Sequence, residues 1–178
     1  MVAKRLRHGL LTVIDPTDRG TDSVGVLRRV MALVDAGAAL CVPGNHDDKL
    51  PGWPENRQVT LTHGLEGTVQ QLEASERFRA KVRPFLSSLV SHLVLDGSAV
   101  VVAPAGLPQH CQGQASGRVH SFALHGDVDG STNEHGFPVR GARATAYRGE
   151  HRVVYGHTPV AQARRVNTTG TAASSAAR

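Results

Sequence analysis

Cysteine and aromatic residues are scarce in this chain of 178 residues. The two cysteines, Cys41 and Cys111, are too few for the disulfide framework of a small secreted protein. Aromatic side chains account for 4% of the sequence, so a core must consist largely of valine, leucine and alanine. These shortages exclude a disulfide-stapled fold. They favour one ordinary globular domain, because the chain is long enough to bury a substantial core.

Long apolar segments are missing as well. No stretch approaches the roughly 20 apolar residues that a membrane-spanning helix requires. The basic residues 1–7 are not followed by the apolar region and cleavage pattern of a signal peptide. We therefore predict a cytoplasmic protein without a membrane partner.

Positive charge exceeds negative charge in the chain. Lys and Arg number 20 against 15 Asp and Glu, which gives a formal net charge of +5. This balance suits a polyanionic partner such as nucleic acid. A basic protein without such a partner would have the same composition, so charge alone does not choose between the two.

The first quarter of the chain has the pattern of a strand–helix–strand unit. Strands are predicted over Leu10–Ile14 and Ala38–Val42, and apolar residues at helical spacing predict a helix over Ser23–Ala36. Ser23 is expected to cap the N-terminus of this helix, and Gly37 to end it. A helix between two strands indicates a parallel βαβ unit and therefore the α/β fold class.

The rest of the chain is less regular. Residues 64–91 are predicted to be mainly helical, with Pro84 either beginning a second helix or kinking the first. The Asp96-Gly97 pair between two β-rich runs predicts a hairpin. The remaining expected elements are loops over 104–117 and 126–151, a strand over Arg152–Tyr155 and a last strand over Val160–Val166. Residues 168–178 contain no large apolar side chain and are predicted to form a disordered tail.

Polar side chains follow several of the predicted strands. Asp15 comes after the first strand, Asn45 after the second, and His157 after the strand near the end of the chain. Because sites in open α/β sheets form at the carboxyl ends of strands, these three are expected to meet. A carboxylate, an amide oxygen and an imidazole together suit Mn²⁺, Fe²⁺ or Zn²⁺. Each motif taken singly is also explained as an ordinary turn, so their shared position after strands carries the prediction.

Five segments resemble one superfamily, the calcineurin-like metallophosphoesterases. They read "DPTDRGTDSVGVLRRV", "LCVPGNHDDKL", "LVSHLVLDGSAVVVAPAGLP", "GRVHSFALHGDVDG" and "VVYGHTPV". The resemblance runs from about Ile14 to Asn167. Within the superfamily the segments look most like the phosphatase domain of bacterial polynucleotide kinase-phosphatase, an RNA repair enzyme. The fold implied is a sandwich of two mixed sheets flanked by helices.

The resemblance implies a centre that holds two divalent metal ions. Asp15 resembles the carboxylate that bridges the ions, while Asn45 and His157 resemble ligands of the second ion. Mn²⁺ is the favoured metal, and Ni²⁺, Fe²⁺ or Zn²⁺ are alternatives. Such a pair binds phosphate oxygens and lowers the pKa of a bridging water.

Three further residues resemble catalytic groups of the superfamily. Arg19 and His46 resemble the groups that hold the phosphate and assist the leaving group, and Asp47 is expected to orient His46. The function implied is removal of phosphate from the 2′ or 3′ ends of a polynucleotide. The resemblance also implies kinase or ligase modules as expected partners in full-length relatives.

The chain also departs from the superfamily pattern. Nothing before Asp15 supplies the Asp-x-His pair of the usual first strand, Ile14 replaces a glycine, and Pro104 stands where the family has a histidine. After Asn167 the sequence is small and polar. These departures predict a metallophosphoesterase domain over residues 1–167 that lacks its first strand and its C-terminal strands.

The departures leave the function open among three alternatives. The first is the polynucleotide phosphatase. The second is another activity of the same superfamily, on a serine/threonine phosphoprotein or on a dinucleoside tetraphosphate. The third is an inactive fragment or pseudoenzyme, because the superfamily's first metal would lack its usual ligands.

Overall fold

The computed structural model describes residues 10–13, 16–17, 21–53, 65–132, 138–140 and 147–157. The chain divides into two compact units, Met1–Val90 and Ser91–Arg178. Helices and strands occur in both, so the predicted α/β class is confirmed. The expected strand over 160–166 and the expected tail over 168–178 lie outside the described residues, and the single domain over 1–167 stays a prediction.

The first unit begins with the predicted βαβ element. Strand β1 covers Leu10–Val13, helix α1 covers Ser23–Asp35 and strand β2 covers Ala39–Val42. The two strands pair in parallel, with Leu10 opposite Ala39. Parallel pairing places the carboxyl ends of β1 and β2 at the same edge, which is what the predicted site requires.

The cap of α1 differs from the prediction by one residue. Asp22, not Ser23, is the N-cap, and its side chain accepts a hydrogen bond from the Gly25 amide at 2.8 Å. Asp and Ser are both good caps, so sequence preference could not separate neighbouring candidates. Gly37 follows the helix with a φ of 68°, a conformation that glycine adopts without strain.

Two further helices complete this unit. Helix α2 covers Leu65–Glu73 and α3 covers Glu76–Ser88. The break falls at Ala74 and Ser75, so the expectation that Pro84 begins a helix is wrong; Pro84 lies inside α3. Proline deprives the carbonyl four residues earlier of its helical partner. Both Pro84 and Ala80 are exposed, so water can satisfy that carbonyl.

The core of the first unit is a cluster of aliphatic side chains with one phenylalanine. It is contributed by α1, α2, α3 and the short 3₁₀ turn at Leu50–Gly52 that follows β2. Burial of these apolar surfaces is the main force that holds the helices on this unit. The buried members are Leu27, Leu50, Leu65, Val69, Leu72, Phe78, Val82 and Leu86.

The second unit is organised around a three-stranded mixed sheet. Strand β3 covers Leu93–Leu95 and pairs antiparallel with β4 at Val100–Val102, which confirms the predicted hairpin. Helix α4 covers Gly117–His125, and strands β5 at Val128–Thr132 and β6 at Pro138–Arg140 form an antiparallel pair. Strand β7, Arg152–Val154, pairs in parallel with β4 and confirms the predicted strand.

Three elements of this unit were not predicted. Helix α4 begins in a segment expected to be a loop, and β5 and β6 lie in the region expected to lack regular structure. The sequence does carry a signal for α4, because Ser116 caps it by accepting from the Val119 amide at 3.1 Å and Gly126 ends it with a φ of 74°. One face of α4 packs into a small core made of Ala103, Leu107, Val119, Ala123 and Leu124.

The described strands form one three-stranded mixed sheet and two two-stranded pairs. This arrangement is compatible with the predicted sandwich of mixed sheets, while the absence of a first strand and of C-terminal strands stays a prediction. Among the described residues, no helix combines the length and the apolar character that crossing a membrane would require.

Candidate active site

The Gly-Asn-His-Asp motif forms a tight turn at the carboxyl end of β2. The amide of Asp48 donates to the carbonyl of Gly44 at 3.1 Å, and the amide of Lys49 donates to the carbonyl of His46 at 3.2 Å. The turn then continues into the 3₁₀ segment at Leu50–Gly52. A buried strand followed at once by this turn holds the motif's side chains at the carboxyl end of β2, as the sequence predicted.

The four polar side chains of the turn differ in exposure. Asn45 is partly exposed, whereas His46 is 7% exposed and its Nδ1 atom is buried. Asp47 is fully buried, and Asp48 is exposed. Asn45 therefore keeps some contact with solvent, while Asp47 lies in the interior of the protein.

Asp47 connects the turn to the loop that follows β1. Its Oδ2 atom accepts a hydrogen bond from the Gly44 amide at 2.8 Å, which closes the turn on itself. Its Oδ1 atom accepts from the Thr17 hydroxyl at 2.7 Å. Both oxygens of a buried carboxylate thus have donors, as a buried charge requires. The expectation that Asp47 orients His46 stays a prediction, but Asp47 also has this connecting role.

A row of buried hydroxyl groups extends this connection into the helices. The Thr68 hydroxyl lies 2.7 Å from the carbonyl oxygen of Thr17 and 2.9 Å from the hydroxyl of Ser23. Thr17, Ser23 and Thr68 are each at most 2% exposed. We call Ser23, Thr68, Thr17 and Asp47 the hydroxyl chain. Sequence patterns missed it, because its members are 51 positions apart at most and belong to different elements.

Asp15 and Arg19, the predicted bridging metal ligand and phosphate-binding group, lie outside the described residues. Asp15 directly precedes Pro16 in sequence, and Arg19 follows Thr17 by two positions. Within the described ranges, no group of three or more His, Cys, Asp and Glu side chains has an arrangement suited to a metal ion. Asp15 lies outside those ranges and Asn45 offers an amide, so the set of Asp15, Asn45 and His157 stays a prediction.

His157 lies in the second unit, at the carboxyl end of β7. It has a φ of 66°, an uncommon value for a residue other than glycine and one often found near functional sites. The amide of Gly156 donates to the carbonyl of Pro104 at 2.9 Å, so the segment after β4 and the segment after β7 are joined next to His157. Pro104, which stands where the family has a histidine, is therefore bonded to the residue that precedes the predicted ligand His157.

Gln112 joins the loop after β4 to the segment that precedes β7. Its side-chain amide donates to the carbonyl of Leu107 at 3.1 Å and to the hydroxyl of Tyr147 at 3.2 Å. Its carbonyl oxygen then accepts from Nδ1 of His151. All three bonds involve one partly buried carboxamide, so this side chain organises the loop that begins at Pro104.

His92 is the second imidazole that ties this loop. The Gly113 amide donates to Nε2 of His92 at 3.0 Å, and the Ser91 hydroxyl lies 3.3 Å from Nδ1. Burial lowers the pKa of His92 below its ordinary value of 6.5. The accepting role of Nε2 requires the neutral ring, so geometry and burial favour the same protonation state.

Several known proteins that are similar to this chain carry the same name. A bis(5′-nucleosyl)-tetraphosphatase PrpE [asymmetrical] of Anoxybacillus flavithermus is 39% identical over 165 residues, which cover 90% of this chain and 67% of the relative. The proteins of the same name from Geobacillus thermodenitrificans and Bacillus subtilis are 41% and 39% identical over 160 residues, 87% of this chain and 65% and 66% of theirs.

The chain belongs to the PrpE family of bis(5′-nucleosyl)-tetraphosphatases. It spans about two thirds of the length of these relatives. These relatives are named as tetraphosphatases, so the prediction of a phosphoesterase enzyme is confirmed. No family model matches the chain.

A solved structure supports the fold of this PrpE relative. The crystal structure of a protein provisionally named a diadenosine tetraphosphatase aligns with 92% of this chain and 68% of its own, with a TM-score of 0.54 and 24% identity. At that identity the likeness shows the fold alone, and the fold is compatible with a metallophosphoesterase.

The comparisons support the superfamily that the motifs indicated but not the predicted subgroup. The relatives are tetraphosphatases, and none of those described here is a polynucleotide kinase-phosphatase. The motifs Asp-Arg-Gly, Gly-Asn-His-Asp and Gly-His-Thr-Pro mark the superfamily, whereas the longer matches around residues 21–50 and 89–127 led to the predicted subgroup. Because these motifs are common to the superfamily, they cannot choose between its substrates.

Proposed function

We propose that this chain catalyses the metal-dependent, asymmetrical hydrolysis of bis(5′-nucleosyl) tetraphosphates. The observation that carries the proposal is about 40% identity to proteins of that name across nearly nine tenths of this chain. The geometry is consistent with it, because the Gly-Asn-His-Asp turn lies at the carboxyl end of a parallel strand pair.

The proposed reaction breaks one phosphoanhydride bond. Water supplies an oxygen to one phosphorus atom, and the bond from that phosphorus to the bridging oxygen breaks. The products are a nucleoside triphosphate and a nucleoside monophosphate, and one proton is released. The substrate carries several negative charges, so a chain with a net charge of +5 attracts it.

Three residues of this chain would hold the metal. Asp15, Asn45 and His157 offer a carboxylate, an amide oxygen and an imidazole, a donor set that Mn²⁺ accepts. The partial exposure of Asn45 and the position of His157 after β7 fit that role. When bound, the metal supplies Lewis-acid stabilisation of the phosphate and a hydroxide at neutral pH.

The remaining roles belong to two cationic or proton-donating groups. Arg19 would bind a phosphate oxygen through its planar guanidinium, which matches phosphate geometry. His46 would donate a proton to the departing phosphate oxygen, a task suited to an imidazole near neutral pH. The burial of His46 in the turn would hold the ring in one orientation.

A substrate panel under one metal condition tests the proposal. The parent protein with Mn²⁺ is given diadenosine tetraphosphate, a 3′-phosphorylated oligonucleotide and a phosphopeptide, and products are separated by ion-exchange chromatography. We expect ATP and AMP in equal amounts from the first substrate and little release from the others. The variant Asn45→Ala is expected to lose the activity, while Asn45→Asp retains part of it.

Three results would overturn the proposal. Preferential release of phosphate from the oligonucleotide end would support the polynucleotide phosphatase instead. No turnover of any substrate, with Asn45→Ala indistinguishable from the parent, would support an inactive fragment. ADP as the sole product would contradict the asymmetrical course.

A further inference from the structure

We propose that Thr17 and Thr68 are positioning residues that hold the two site-bearing loops of the first unit in register. The inference rests on the proposed function, because the loops concerned are those of Asp15 and Asn45. Both residues are buried, and their hydroxyl groups bond to the Asp47 carboxylate, the Thr17 carbonyl and the Ser23 hydroxyl.

The donors in the hydroxyl chain follow from which atoms can only accept. The carbonyl oxygen of Thr17 can only accept, so Thr68 gives its single hydroxyl proton to it at 2.7 Å. The hydroxyl of Ser23, 2.9 Å away, then donates to Thr68. Thr17 in turn donates to the carboxylate of Asp47. Ser23 therefore donates to Thr68, Thr68 donates to the backbone carbonyl of Thr17, and the Thr17 hydroxyl donates to Asp47, so both the main chain and the side chain of Thr17 are held by hydrogen bonds.

Thr68 lies on the buried face of α2. The buried positions of α2 are Leu65, Thr68, Val69 and Leu72. Three of these are aliphatic and pack into the apolar core. A hydroxyl at the fourth costs free energy when it enters an apolar interior without a partner. Its two partners, one on each side, account for a threonine at this position.

The hydroxyl chain connects two segments that carry predicted site groups. Thr17 lies two positions after Asp15 and two before Arg19, and Asp47 lies two positions after Asn45 and one after His46. The 2.7 Å bond between Thr17 and Asp47 therefore joins the loop after β1 to the turn after β2 within two residues of the predicted site groups on both. Parallel pairing of β1 with β2 aligns the strands, but it does not fix the loops beyond their ends.

Burial strengthens the preference for the bond between Thr17 and Asp47. Thr17 and Asp47 are both fully buried, so water cannot replace either partner when the bond is broken. A buried donor and acceptor that lose each other are costly, which makes the joined arrangement strongly preferred. Thr68, through the Thr17 carbonyl, anchors the same loop to α2.

Isosteric substitutions with a matched control test the inference. Thr17→Val and Thr68→Val remove a hydroxyl and keep the volume, and Thr17→Ser restores the hydroxyl. The control is Val69→Ala, which truncates a neighbouring core residue of α2 outside the hydroxyl chain. The first readout is amide hydrogen exchange of residues 43–50 without metal. The second is the Kd for Mn²⁺ by calorimetry.

We expect the valine variants to change amide exchange and Mn²⁺ affinity, and the control variant to change only the melting temperature. Thr17→Val and Thr68→Val should speed exchange in residues 43–50 and weaken Mn²⁺ binding at least tenfold, while Thr17→Ser behaves like the parent. Val69→Ala should lower the melting temperature and leave both readouts unchanged. If the valine variants only lower the melting temperature, with exchange and Mn²⁺ affinity like those of Val69→Ala, the inference is overturned.

Failure of the inference and failure of the proposed function give different patterns. A parent that binds Mn²⁺ and hydrolyses the tetraphosphate, with valine variants equal to it, overturns only the positioning roles. A parent that binds no Mn²⁺ overturns the proposed function. In that case the exchange measurement still decides whether the hydroxyl chain holds the turn.

Discussion

Two parallel strand pairs in this protein end in segments that carry predicted site residues, and they are held together in different ways. At the β1–β2 edge of the first unit, a buried carboxylate receives a threonine hydroxyl from the neighbouring loop. At the β4–β7 edge of the second unit, backbone bonds join the segments after the strands, including the one from Gly156 to Pro104.

This difference bears on how much each edge tolerates substitution. A backbone bond survives most changes of side chain, since its donor and acceptor belong to the main chain. A side-chain bond to a buried carboxylate depends on two particular residues, Thr17 and Asp47. The first edge should therefore be sensitive to single substitutions, while the second can carry a proline where the family has a histidine.

The largest effect is expected from His46, at the side-chain-dependent edge. His46→Asn removes the proposed proton donor and should lower kcat for diadenosine tetraphosphate by about 100-fold, the lower end of the range for acid–base catalysis. His110→Asn, at an exposed position, is the control and should leave kcat unchanged. Equal activity in both variants would remove His46 from the mechanism.

Asp47 tests whether the first edge depends on a carboxylate. In Asp47→Asn one of the two donors, Gly44 N–H or the Thr17 hydroxyl, meets an NH₂ group instead of an oxygen. We expect a loss of about 1.5–3 kcal/mol in the free energy of unfolding, as for hydrogen bonds to charged groups. Urea denaturation measures it, with the exposed Asp48→Asn as control. A loss no larger than that of the control would mean that the carboxylate charge is not needed.

Substitution of Gln112 tests whether the β4–β7 edge also depends on a side chain. Gln112→Ala removes bonds to Leu107, Tyr147 and His151, and we expect a loss of about 1–3 kcal/mol in stability. Amide exchange over residues 147–151 should rise with it. Gln109→Ala, at an exposed position, should change neither quantity. Should the two variants match, the loop is held by its backbone alone.

Substitution of Pro104 tests whether the β4–β7 edge can gain a metal ligand. Pro104→His keeps the carbonyl that accepts from Gly156 and adds an imidazole beside His157. Under the proposed function, Mn²⁺ affinity should rise about tenfold, equivalent to about 1.4 kcal/mol. Calorimetric titration of the variant and of the size control Pro104→Phe measures this. An affinity that rises equally in both variants, or in neither, would contradict a ligand role for this position.

The smallest effect is a pH dependence that arises from His92. Burial lowers its pKa in the folded protein below 6.5, so the unfolded chain binds the proton more readily. The contribution of neutral His92 to stability is complete above about pH 6.5 and is lost as pH falls towards the lowered pKa. His92→Asn should flatten the stability profile between about pH 5 and 7, whereas His110→Asn should not. A parent profile that is already flat there would refute the effect.

The sequence predicted the elements that have strong local signals. The βαβ unit, the hairpin at Asp96-Gly97 and the late strand at Arg152 all follow from apolar periodicity and turn chemistry. Helix α4 was missed because the residues before it, 113–117, are rich in Gly and Ser, a composition that favours a loop. The choice of Asp22 over Ser23 as cap depended on which side chain the tertiary structure needed elsewhere, and Ser23 belongs to the hydroxyl chain.

The sequence by itself determined the superfamily and the identity of the motif residues, since Asn45, His46 and Asp47 are adjacent in the chain. Only the tertiary structure decided how these residues divide their tasks. It turned Asp47 inward to Thr17, left Asn45 accessible, and connected Thr68 to the loop of Thr17. The physical reason is that a hydrogen bond between residues 30 or 51 positions apart depends on how strands and helices pack, which no local pattern of residues records.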